Sequence, residues 1–91
     1  MWVKDSKKVT AQGYIRADIG SNITNVKSMA DKIRGVMNGV INALGEEEAA
    51  EILTDCRIAL GKLETAERIL TECSAATSEL KTDKWVEDEQ Y

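Results

Sequence analysis

The chain has 91 residues and a net charge of −4, with two cysteines and neither histidine nor proline, so one domain is the ceiling and little surface is available for an unaided core. The missing histidine and the spacing of Cys56 and Cys73 argue against a structural zinc site, and no apolar run reaches membrane-spanning length. Charge is unevenly divided: residues 1–34 carry seven Lys or Arg against three Asp, residues 35–91 five against thirteen acidic residues, which excludes a general coat for long nucleic acid.

Residues 1–20 are the least legible. Val9, Ala11, Ile15, Ala17 and Ile19 alternate with Thr10, Gln12, Tyr14, Arg16 and Asp18, a pattern that fits an extended piece or short helical turns broken at Gly13 and Gly20. Gly20-Ser21-Asn22 then reads as a helix start, with Ser21 or Asn22 as cap. The first long helix is expected over residues 21–44, because Ile23, Val26, Ala30, Ile33, Met37, Val40 and Leu44 recur at steps of three and four, the spacing of a coiled seam. The same alternation reaches back to Ile19, and Met29, Val36 and Ile41 widen the stripe.

Gly45 stands where a left-handed C-terminal cap belongs, and Glu46-Glu47-Glu48 places negative charge at the positive end of the next helix. That helix is expected over residues 46–80, with Ala49, Ile52, Cys56, Ala59, Leu63, Ala66, Leu70, Cys73, Thr77 and Leu80 on one face. Leu53, Leu60, Ile58 and Ile69 broaden its apolar arc to roughly 200°, more than one partner helix covers. Cys56 and Cys73 fall about 26 Å apart on one helix, too far to bridge, and read as buried small apolar residues in a reducing cytoplasm. Residues 81–91 form a polar, acidic, frayed tail in which Trp85 and Val86 can dock.

A tight turn at Gly45 makes the two helices antiparallel neighbours. The expected fold is therefore all-α: one domain over residues 1–91, a helical hairpin with an N-terminal extension, buried by assembly into an oligomeric helical bundle. At 1.5 Å per residue the helices span about 35 and about 52 Å. The second then overhangs the start of the first, and residues 1–20 and the aromatics Trp2, Tyr14, Trp85 and Tyr91 should gather at that open end.

Two sets of residues are candidates for function. The first amides of a helix starting at Asn22 would form a positive dipole end, with Tyr14, Arg16, Lys27 and Lys32 near enough in sequence to add a stacking ring and cations around an anion. The polar face of the first helix groups Ser28, Gly35, Asn38, Gly39 and Asn42 without charge, a flat groove that another backbone could approach. No nucleophile beside a base, phosphate loop or paired carboxylate supports catalysis. No enzyme, metal or cofactor is expected.

The segment Ala59-Leu60-Gly61-Lys62-Leu63-Glu64-Thr65-Ala66, together with Tyr14 and with Lys32 in Ala30-Asp31-Lys32, resembles small phage proteins that sequester cyclic oligonucleotides and so block CBASS defence. The resemblance implies an oligomer, a hexamer in that family, in which the N-terminal tyrosine and the lysine of the first long helix hold the ligand. The chain departs from the family in having no proline-rich loop after the tyrosine and no aromatics in the second helix. Two functions follow as expectations. One is a small, non-enzymatic, self-associating phage anti-defence protein that binds a cyclic nucleotide in the host bacterial cytoplasm. The other is a protein-interaction module, a phage inhibitor or scaffold subunit, that engages a host protein through Gly35, Asn38, Gly39 and Asn42 or through the acidic second helix.

Overall fold

In a computed structural model of the chain, which describes residues 1–87, two long helices fold back on each other and a short two-stranded ribbon joins the termini. The order is β1 (Trp2–Lys4), α1 (Ser6–Glu48), α2 (Ala50–Ser78) and β2 (Asp83–Trp85). The molecule measures 82 × 14 × 10 Å. These proportions leave it two helices wide and one deep.

The helical hairpin expected from the sequence is present, but its first helix begins at Ser6 rather than near residue 21. Asp5 is the cap that the sequence reading overlooked: its extended backbone (φ −92, ψ 106) turns Oδ1 to accept from the amides of Lys7 at 3.0 Å and Lys8 at 3.4 Å. The helix runs through Gly13 and Gly20 without a break. Each interior glycine costs about 1 kcal/mol relative to alanine, which the flanking turns and the contact with α2 offset. Asn22 to Asn25 are therefore mid-helix, and their amides are not a free dipole end.

The relative lengths are also reversed: α1 has 43 residues and α2 has 29. The N-terminal segment does lie beside the end of α2, as helix. Gln12 Nε2 donates to the carbonyl of Thr77 (2.8 Å), which also accepts from the Leu80 amide, and to that of Ser78 (3.3 Å), one of the groups that a helix C-terminus leaves unpaired. Helix α2 stops at Ser78, with Glu79 as its cap.

Gly45 is the only residue of α1 with non-helical dihedrals (φ 80, ψ 166). A positive φ was expected there, but this ψ lies outside the left-handed helical well, in a region open essentially to glycine alone. The Ala49 amide then bonds back to the Gly45 carbonyl at 3.1 Å, so Glu46–Glu48 already wind toward α2.

At the far end β1 and β2 pair antiparallel in the register Trp2↔Trp85, Val3↔Lys84, Lys4↔Asp83. Within the expected tail Asp83–Trp85 is therefore a strand, and Trp85 and Val86 dock as expected; residues 88–91 lie outside the described residues. The Asp5 amide bonds the Thr82 carbonyl at 2.7 Å and the Val86 amide bonds the Met1 carbonyl at 2.9 Å. Trp2 and Trp85 meet edge to face with centroids 5.7 Å apart. Tyr14 stands apart on α1, and Tyr91 lies outside the described residues.

Between the helices the stripe Ile19, Ile23, Val26, Ala30, Ile33, Met37 and Val40 turns inward, as its spacing requires, and is buried or half-buried. Opposite it Ala49 is buried at the turn, and on α2 Leu53 is buried and Cys56, Leu60, Leu63 and Leu70 half-buried, slightly rotated from the expected line. Among the described residues only Ala30, Ala49 and Leu53 are fully buried apolar side chains. Cys73, expected inside, is exposed.

Candidate functional site

Heptad positions organise the surface. With Ile23, Ala30 and Met37 as a and Val26, Ile33 and Val40 as d, positions e and g flank the seam on α1. On α2 the seam has Leu53 and Leu60 at a and Cys56, Leu63 and Leu70 at d.

One side of the seam is polar. Lys27 Nζ, at e of α1, lies 3.7 Å from Glu67 Oε1, and Arg34 Nη1 lies 3.0 Å from Asp31 Oδ1. Val26, Lys27, Ala30, Asp31, Arg34, Leu63, Glu64 and Glu67 line a cleft of about 190 Å³ there. That is smaller than the several hundred Å³ usual for an organic ligand. Its charges are largely neutralised by each other.

The four residues expected around an anion do not converge within one chain. Tyr14 and Lys32 point to the outer side of α1, but eighteen residues of one helix separate them, about 27 Å. Lys27 sits on the polar side, engaged by Glu67. Arg16 is exposed near the ribbon end, and among the described residues neither Arg16 nor Lys32 makes an ion pair. Tyr14 is 72% exposed. It borders an open trough with Thr10, Gly13 and Ala17.

The uncharged set of α1 is brought together. Gly35, Asn38, Gly39 and Asn42 are all exposed on the side turned away from α2, at positions f, b and c. Nothing lies within 4 Å of where a Cβ would stand at Gly35 or Gly39, so the backbone of α1 is open to close approach there. Sequence reasoning placed these four residues on one exposed face because spacing along one helix fixes it. It missed the β1–β2 ribbon, whose pairing joins the two ends of the chain and has no local signature beyond a tryptophan near each.

Within the ribbon, Lys4 Nζ of β1 lies 3.3 Å from Asp83 Oδ1 of β2 and donates to Thr82 Oγ1 at 3.2 Å. Among the described residues no cluster of three potential metal ligands forms. No helix is long and apolar enough to cross a membrane. Compared with protein-family models, curated proteins and solved structures, the chain matches none.

Proposed function

We propose that this protein is a non-enzymatic, self-associating interaction module that presents the uncharged groove of α1 to a partner protein. The observation that carries the reading is where the large apolar side chains lie. Among the described residues three apolar side chains, Ala30, Ala49 and Leu53, are buried, while Ile15, Met29, Val36, Ile52, Ile58 and Ile69 stay exposed along both helices. A hairpin one helix deep encloses nothing and offers nearly all its surface for contact. Self-association supplies the burial that 91 residues lack.

The groove at Gly35, Asn38, Gly39 and Asn42 suits a helix or strand of another protein, since the glycines let backbones approach and the asparagines offer donors and acceptors. Pull-down from source-cell lysate with the wild type, Gly39→Leu and Lys32→Ala as baits tests it. A protein retained by the wild type and Lys32→Ala but lost with Gly39→Leu supports the groove, whereas equal retention by Gly39→Leu overturns it.

A second reading, sequestration of a cyclic oligonucleotide, draws on the exposure of Tyr14 and on Arg16 and Lys32, cations without a carboxylate partner among the described residues. Because Tyr14 and Lys32 are about 27 Å apart along one helix, such a site would combine residues of neighbouring copies. Nucleotide released on denaturation, seen first as a raised 260/280 nm ratio, supports it. No released nucleotide, and no calorimetric heat with cyclic di- and trinucleotides, removes it.

A further inference from the structure

The two flanks of the seam differ in chemistry. On the polar flank Lys27 and Arg34 of α1 share a cleft with Glu64 and Glu67 of α2. The g positions lie about 200° from the e positions around each helix, so those of both helices come together on the opposite flank. On α1 they are Ile15, Asn22, Met29, Val36 and Ala43; on α2 they are Ile52, Ala59, Ala66 and Cys73. Met29 is 52% exposed, Val36 54% and Ile52 43%. With Lys27 beside Glu67, the antiparallel pairing brings the two rows nearly level, Met29 near Ala66 and Val36 near Ala59, which gives a layer about once per heptad.

From this geometry we infer that a second copy of the chain covers the g flank, head to tail, to make an antiparallel four-helix bundle. The inference rests on the self-association proposed above and specifies its face and direction. Three features select a second copy as the occupant. The face runs about 42 Å along α1 and about 32 Å along α2, enough to approach the ~800 Å² per partner of a standard interface. Its composition is self-complementary: Ala59, Ala66 and Cys73 form a row of small side chains on α2, so two α2 helices can pack closely while the larger Met29 and Val36 meet across the α1 pair.

Charge fixes the direction. The turn end carries Glu46, Glu47, Glu48 and Glu51, and the ribbon end of α1 carries Lys7 and Lys8. A parallel copy would stack the acidic turns on each other; an antiparallel copy sets them beside the partner's ribbon end, where among the described residues Lys4, Lys7, Lys8, Lys81 and Lys84 outnumber Asp5, Glu79, Asp83 and Glu87. With the hairpins fully overlapped, the two-fold axis passes at the level of Ala66 and Met29. Ala66 then faces its counterpart, and Ile58, on the far side of α2, faces no one in the dimer.

Cysteine scanning tests this in the full chain carrying Cys56→Ser and Cys73→Ser. With Ala66→Cys, mild oxidation should yield a disulfide-linked dimer in non-reducing electrophoresis, and with Ile58→Cys it should yield monomer. Ala66→Glu should in parallel return the sedimenting species to 10.0 kDa, with helical content retained by circular dichroism. A wild type that sediments as an oligomer while Ala66→Cys stays unlinked and Ala66→Glu keeps its mass overturns the face and leaves self-association standing. A wild type that is itself a folded 10.0 kDa monomer overturns both.

Discussion

Gly45 and Asp5 punctuate the first helix, and only one of them announces itself. A glycine between an apolar stripe and three glutamates marks a stop, and the structure gives it φ 80, ψ 166, which side chains larger than hydrogen disfavour. Gly45→Ala should lower stability by about 1–3 kcal/mol, measured by urea unfolding. Gly20→Ala should do the opposite, gaining about 1 kcal/mol, because Gly20 is helical and a Cβ there meets nothing within 4 Å. Asp5 was harder to recognise, since Lys7 and Lys8 follow it where acidic first-turn residues usually strengthen a start signal. Its replacement by alanine should cost about 0.5–2 kcal/mol and fray the first turn. Lys27→Ala should change stability by less than about 1 kcal/mol, because both side chains of its pair with Glu67 are substantially exposed.

At the scale of elements, the long three-four stripes from Ile19 onward were legible and produced the hairpin. Residues 6–18 were not, for a physical reason: Gln12 and Arg16 occupy seam positions there, so the apolar signal thins and a period of two fits as well as one of 3.6. Gln12 in that position is explained only by the fold, where its amide caps the end of α2. The candidate groove was legible because its four residues share one helix. The anion site was not, because it assumed a helix start at residue 22 that the chain does not make. The ribbon depends on a partner more than eighty residues away. Trp2→Ala should remove the edge-to-face pair with Trp85, worth about 0.5–1.5 kcal/mol beyond its buried area. Hydrogen exchange checks this: the Asp5 and Val86 amides, which bond across the ends of the ribbon, should lose protection while amides in the middle of α1 keep theirs.

For the whole molecule the issue is burial. A shape of 82 × 14 × 10 Å leaves only three apolar residues buried among those described, and the proposed self-association would enclose more. The wide arc on α2 led to the expectation of self-association, and the fold leaves Ile52 exposed on the g flank and Ile58 exposed on the far side of α2. If association provides the missing core, stability depends on protein concentration by mass action. Thermal unfolding followed by circular dichroism across a hundredfold range of concentration measures this directly. We expect Tm to rise by roughly 5 °C per tenfold increase. A cooperative transition at the same Tm throughout, from a species of 10.0 kDa, would contradict it.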